Sequence, residues 1–429
     1  MRYIFSILAM CVAFTHVRVS AQTQTLTAGQ TEHRCLALDE CLAEAVRQSL
    51  ILKEGTVNIE QSVANQGTAW NIDRTDISLS QDPLSGGSTD NSITVSQQFA
   101  FPTVYVARMK SLQSETRLAE RQYASLEKDV VARISSAYYD LSCVAACLSV
   151  IERQDSVYSL FVKLAETKYR NGDTNRLEVI NAQQTYNENR MLLNEERHNM
   201  QSLQLRLRDL MGVDYLVQPM PADEHSLRSM LTDVSDNETL RESSFDFSST
   251  AQGQEMEQRM DVARRQYRLA RTEFAPDLSV AFRTQTVLRG FNPYGEKRLA
   301  YEKGNFMGFE VGVSVPLFFG EQRSKARASR LQMEKSELLY RQSEREAASL
   351  LADAQAECQR TRESALYYEN EGHDAATEMA RVSQLSYEHG EIGYIEYIQN
   401  QKAALDMHLS HLRSLNAYRQ AVVRLNSLF

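Results

Sequence analysis

From Tyr123 to Tyr169, apolar and small residues recur at alternating gaps of three and four, through Leu126, Val130, Ala137, Leu141, Val144, Leu148, Ile151, Tyr158, Val162 and Ala165. That spacing is a coiled-coil seam. No proline interrupts Thr103 to Gln218, and at 1.5 Å per residue the run Val104 to Arg170 predicts a rod roughly 100 Å long. A rod of that length needs other helices packed along it. It breaks at Asn171-Gly172-Asp173-Thr174-Asn175. Gly172 can take the left-handed conformation that ends a helix, and Asn175 followed by Glu178 spells a capping-box start for the next one, so the pattern predicts a tight helical hairpin.

The same tip returns in the second half of the chain. Tyr169-Arg170-Asn171-Gly172-Asp173 is echoed by Tyr387-Glu388-His389-Gly390-Glu391, Leu177-Glu178-Val179-Ile180 by Ile395-Glu396-Tyr397-Ile398, and Gln183 by Gln401. The chain therefore reads as a duplication of one unit.

Elsewhere the period changes from helical to alternating. A first helix is predicted from Leu38 to about Asn65. From Ser92 to Phe101, apolar Ile93, Val95, Phe99 and Phe101 alternate with polar residues, which predicts a strand with one apolar face. Its partner is sought in Thr68 to Ser80, before the turn Asp82 to Gly87, where alternation is poor and Trp70 could anchor at a membrane interface. The second half is cleaner. Leu278, Val280 and Phe282 predict one strand, and Phe309, Val311, Val313, Val315 and Leu317 another, with the charged, glycine- and tyrosine-rich stretch Arg289 to Asn305 between them as an external loop. Each half thus runs helix, strand, strand, long helix, tip, returning helix. The predicted boundaries are a leader at 1–21, a first repeat at 22–250 with a linker at 213–250, and a second repeat at 251–429.

Strands of about ten residues with one apolar face suit a bilayer-spanning β-barrel. The alternative is a soluble α+β domain, but the helices offer narrow seams and no broad apolar face to cover a sheet. Four strands cannot close on themselves, and open edges in lipid leave backbone groups unpaired at several kcal/mol each. The barrel must then be assembled from several chains. Two would give eight strands, three would give twelve and room for an aqueous lumen.

Composition narrows the class further. Arg2 precedes an apolar run from Tyr3 to Phe14 and the small-residue site Val19-Ser20-Ala21, which reads as a secretory signal; a lipobox at Leu8-Ala9-Met10-Cys11 is the weaker alternative. The chain is acidic, with net charge -9, and 42% hydrophobic. No uninterrupted apolar run follows the leader, which argues against a helical membrane protein. No basic stripe marks a nucleic-acid binder. Outside the leader Cys35, Cys41, Cys143, Cys147 and Cys358 remain, an odd number that does not form a full disulfide framework. Cys143 and Cys147, one helical turn apart, read as small core residues rather than a metal or redox pair. His408 and His411, beside Met407, could touch copper or zinc, but with no third ligand in view they read as a solvated helix face. No phosphate loop, nucleophile elbow or zinc cluster is present, so neither enzymatic chemistry nor a cofactor is expected.

The duplicated helix-strand-strand-helix-helix unit, the junction Val315-Pro316-Leu317-Phe318-Phe319-Gly320 and the tips Tyr169 to Gln183 and Tyr387 to Gln401 together resemble the TolC-type outer-membrane efflux proteins over nearly the whole mature chain. Phe99-Ala100-Phe101-Pro102-Thr103-Val104-Tyr105 and Gly390 to Asn400 look most like the branch found in Bacteroidetes beside heavy-metal pumps of the resistance-nodulation-division class. One departure is Val106, where that branch usually carries glycine. The resemblance implies a mostly helical α+β fold: a homotrimer with a twelve-stranded barrel in the outer membrane and an α-barrel of long antiparallel hairpins in the periplasm. It also implies an inner-membrane pump and a periplasmic adaptor as partners, and passive conduction as the mechanism.

Glu396 matches the position of an acidic ring at the family's periplasmic entrance, and Gln399 replaces a second acidic residue there. Three carboxylates converging on an axis would favour cations, which suits metal ions. Glu396 and Glu178 can equally be read as helix-capping residues after Gly393 and Asn175. Gly172, Asp173, Gly390 and Glu391 form the tips beside which an adaptor would dock. Within the same fold, drug or type I protein export is the alternative cargo. From other classes, a periplasmic adaptor would usually carry one hairpin with glycine-rich flanking domains, and a structural coiled coil would need no alternating strands.

Overall fold

The computed structural model describes residues 32–84, 88–220, 245–287 and 304–429. The leader with its cleavage site and lipobox alternative, the middle of the 213–250 linker, and all but the last two residues of the Arg289 to Asn305 stretch lie outside the described residues.

The long seam forms one continuous helix. After a short strand β1 (His33–Leu36) and helices α1 (Leu38–Gln48) and α2 (Leu50–Gln66), two paired strands β2 (Asp76–Leu84) and β3 (Ser88–Phe99) lead into α3 (Pro102–Asn171). Pro102 occupies the first turn of α3, where its missing N–H costs nothing, and no glycine or further proline follows until Gly172. The helix α4 (Arg176–Met211) returns and stops at Gly212, and the short strand β4 (Leu216–Pro219) follows. The second half runs α5 (Ala251–Thr272), strands β5 (Asp277–Val287) and β6 (Gly304–Ser314), then α6 (Gly320–Tyr367), a π-helical turn (Tyr368–Gly372), α7 (His373–Glu388) and α8 (Tyr394–Asn426).

Four strands form one antiparallel sheet in the order β2-β3-β5-β6. Its register aligns the alternating positions of all four strands on common faces. Ile77 lies opposite Val95, Leu79 opposite Ile93, Phe99 opposite Leu278, Val95 opposite Phe282, Val280 opposite Val311 and Phe282 opposite Phe309. The other face carries Ser78, Thr94, Ser96, Ser279, Ala281, Arg283, Glu310 and Gly312. Among the described residues no element covers the apolar face: Leu79 is 73% exposed, Val311 77% and Phe309 81%. Burying such a side chain is worth about 1.5–3 kcal/mol, so the sheet leaves a large stabilisation unused within one chain.

The buried core lies instead among the helices. Around Cys41, Leu52, Ile134, Leu141, Leu207 and Met211, α1, α2, α3 and α4 meet with β4 through Val217. Further along, Val144, Leu148 and Ile151 of α3 pack with Leu193 of α4 and Leu405 and Leu409 of α8. Helix α3 carries a stretch long and apolar enough to cross a membrane, but half of that stretch is buried against its neighbours and serves as this core. Packing within the chain accounts for that apolarity.

Two expectations are revised. The predicted first helix is two helices, broken at Ser49, which is buried and has an extended ψ of 124°. The break lies where the backbone of Gly212 comes against the Gln48 carbonyl; a β-carbon on Gly212 would sit 2.8 Å from it. The partner strand begins at Asp76, because Gly67 to Trp70 instead form a 3-10 turn and Trp70 stacks on Tyr105 at 5.6 Å. Pro83 is tolerated in β2 because that strand has only one neighbour. The parallel pair β1–β4 had no sequence signal, since each strand has only four residues.

Candidate functional site

At about 1.5 Å per residue the 70 residues of α3 carry the first tip roughly 100 Å from the sheet. Both tips close with the same hydrogen bonds. At the first, Gly172 adopts φ +78° and donates to Tyr169 O at 3.1 Å, while Asp173 N donates to Lys168 O at 2.9 Å. At the second, Gly390 adopts φ +75° and donates to Tyr387 O at 3.1 Å, while Glu391 N donates to Ser386 O at 2.8 Å. This pairing satisfies the last carbonyls of a helix and requires a residue free to enter the left-handed region. Asp173 and Glu391 are exposed at the apices. The Ser386 hydroxyl donates to the Glu391 carboxylate at 3.1 Å, drawing that charge back onto its own cap.

The three entrance candidates divide into two kinds. Glu178 is the third residue of α4; its backbone N–H donates to the Asn175 side chain at 3.0 Å and its carboxylate accepts from the Thr174 hydroxyl. It is half-buried, and its charge lies near enough to Tyr394 to help raise that phenol's proton affinity. Glu396 is the third residue of α8, but its N-cap is Gly393, which has no side chain to reciprocate. Among the described residues the Glu396 carboxylate makes no hydrogen bond or ion pair, and it is exposed together with Gln399 one turn on. Asp406 continues the exposed line beyond them along the same helix. The structure thus brings Glu396 and Gln399 together on one solvent-facing strip and keeps Glu178 apart from it.

An aromatic junction joins the two tips and was missed in the sequence. Phe161 of α3 lies 5.6 Å from Tyr387, 6.4 Å from Tyr394 and 4.5 Å from Tyr397 between ring centroids. Tyr387 and Tyr397 are 5.0 Å apart, and Lys168 donates to the Tyr387 hydroxyl at 3.1 Å while lying over its ring. Burial raises the proton affinity of the Tyr394 and Tyr397 phenolates, so both stay neutral at physiological pH. The signal was present in the tyrosines at 387, 394 and 397, whose first-tip counterparts are Tyr169, Arg176 and Val179. The asymmetry marks one tip as the aromatic half of a contact.

The neighbouring surface is apolar and uncovered: Leu160 is 65% exposed, Leu177 59% and Ile395 59%. Among the described residues, no group of three His, Cys, Asp or Glu side chains is already gathered to hold a metal ion. The arrangement offers two hairpins packed together, with carboxylates and apolar side chains turned outward.

The profile of the family described as outer membrane efflux protein matches residues 65–213 and 252–429. No curated protein matches the chain. Among solved structures, the chain is similar to CusC, whose structures describe conformational changes accompanying folding and transmembrane channel formation, at TM-score 0.73 and 16% identity over 94% of this chain and 95% of that one. It is similar to the outer membrane protein VceC of Vibrio cholerae at TM-score 0.70 and 16% identity, over 91% of this chain and 95% of that one. It is similar too to the CmeC outer membrane channel of Campylobacter jejuni at TM-score 0.72 and 14% identity, over 91% and 85% of the two chains. At these identities the likeness establishes the shared fold.

Proposed function

The chain belongs to the outer membrane efflux protein family, and on that premise we propose that three copies form an outer-membrane duct in a tripartite assembly with an inner-membrane pump and a periplasmic adaptor. The observation that carries this reading is the sheet. Among the described residues its apolar face is uncovered, its other face is mostly polar, and β2 and β6 each have a single neighbour. In lipid those two edges need partners, and the β2 edge of an identical chain supplies what the β6 edge lacks. Three sheets give twelve strands, with the apolar faces toward lipid and the polar faces toward a lumen. The helical hairpins below would close a second barrel, covering Leu160, Leu177 and Ile395 with neighbouring copies. We read the two halves, 22–250 and 251–429, as repeats of one unit.

For the cargo we favour divalent heavy-metal cations, driven by a pump of the resistance-nodulation-division class. The support is the likeness of the Gly390 to Asn400 tip to that branch and the free carboxylate of Glu396. Three copies of Glu396 around an axis, with Gln399 one turn deeper, would form a cation-favouring constriction at the periplasmic entrance, while Gly172, Asp173, Gly390 and Glu391 would meet the adaptor. Detergent-purified protein should run as a trimer that dissociates on heating, and should conduct in planar bilayers with a preference for cations. Glu396→Gln should move the reversal potential toward the non-selective value. A water-soluble monomer that never inserts would overturn the duct, and an unchanged reversal potential would remove Glu396 from the constriction.

A further inference from the structure

The π-helical turn between α6 and α7 has no place in the repeat pattern. In it His373 N donates back to Tyr368 O, five residues away. Gly372 is buried inside the turn, and a β-carbon there would sit 2.8 Å from the Tyr368 ring. Such turns insert one extra residue and often mark functional positions. This one delivers His373 to the two histidines of α8: its ring centroid is 5.1 Å from that of His408 and 5.3 Å from that of His411. Glu369, from the same turn, accepts a hydrogen bond from His411 Nε2–H at 2.9 Å, with both side chains largely buried. Nδ1 of His373 is buried and has no hydrogen-bond partner. The third ligand that the sequence withheld from His408 and His411 is therefore supplied by a different helix.

We propose that His373, His408 and His411, with Glu369 as counter-charge, form a binding site for one divalent transition-metal ion of the zinc and copper kind in the wall of the helical barrel. With metal–nitrogen bonds of about 2.0–2.1 Å, two imidazoles on one tetrahedral ion have ring centroids about 5 Å apart, which is the separation found here for both pairs. The donor atoms do not yet converge on one point. Turning an imidazole about its terminal torsion exchanges nitrogen and carbon positions at small cost, because that torsion has a broad, two-fold profile. Arg153 opposes a cation and Glu369 favours one. Three nitrogen donors with a carboxylate suit zinc or copper and not calcium or magnesium, which take oxygen ligands.

The site uses residues of one chain and does not depend on what the duct carries. The test uses the full-length protein in detergent, free of any polyhistidine tag, with Zn2+ as probe. Equilibrium dialysis near neutral pH should give one bound Zn2+ per chain that excess Mg2+ does not displace. His373→Gln and His408→Gln should each weaken binding at least tenfold, with melting and trimer mobility unchanged in the absence of metal. Substituted Co2+ should show the intense visible absorption of a four-coordinate ion in the wild type and lose it in both variants. Absence of Zn2+ binding at micromolar concentration, or full occupancy in the His373→Gln/His408→Gln double variant, would overturn the proposal. Where a single variant fails to assemble, the Co2+ spectrum of the wild type decides on its own.

Discussion

Gly172 and Gly390 stand at φ +78° and +75° with open space where a β-carbon would go, whereas Gly212, at φ +71°, would drive a β-carbon against the Gln48 carbonyl. The first two are held to glycine by backbone conformation alone, the third by conformation and crowding together. Gly390→Ala should therefore cost about 1 kcal/mol, the penalty of placing a β-carbon in the left-handed region. Gly212→Ala should cost more and lower the thermal midpoint further, since the rigid backbone of Gln48 and Ser49 has to move. Equal shifts in the two variants would show that the contact at Gln48 is soft. At this scale the sequence was legible where one residue type is needed for one torsion angle, as at Gly172. It was silent on Phe161, whose three tyrosine neighbours come from helices more than two hundred positions further along the chain.

The sheet and the long helices solve the burial problem in opposite ways. Helix α3 has its apolar seam covered by α4 and α8, as Ile151, Leu193 and Leu405 show. The sheet has a face that nothing among the described residues covers, centred near Phe309. If that face meets lipid, Phe309→Arg should destabilise the folded barrel by about 2–4 kcal/mol, the cost of a cation near the bilayer midplane. Thr94→Lys, on the polar face, should be tolerated. The yield of heat-resistant oligomer in the membrane fraction measures both, and equal tolerance would mean that the apolar face is not toward lipid. Alternation announced β3, β5 and β6 because their two faces differ in polarity. It failed at β2, where Trp70 is drawn into a stack on Tyr105 and the strand starts six residues later.

For the whole molecule the decisive feature is that each outer strand of the sheet has one neighbour only among the described residues. In a Cys35→Ser background, which removes the one exposed thiol among the described residues, single cysteines at Ser78 or Ser80 of β2 can be paired with cysteines at Glu310 or Ser314 of β6. At least one pairing should give covalent dimer and trimer ladders on non-reducing gels. Monomer alone for every pairing would mean that copies do not close the sheet. The distance between those strands, at opposite edges of one four-stranded sheet, prevents the same bond within a chain, because adjacent strands are about 4.8 Å apart.

The periodicities alone determined the helical rods, the left-handed tips at Gly172 and Gly390, and three of the four sheet strands, because each is a local preference repeated along the chain. Only the tertiary structure decided where the chain meets itself: the break at Ser49 beside Gly212, the parallel pair β1–β4, the aromatic junction at Phe161 and the π-helical turn that sets His373 against His408 and His411. These contacts join residues far apart in sequence, and no repeating pattern encodes them, since each depends on which side of one long helix happens to face another.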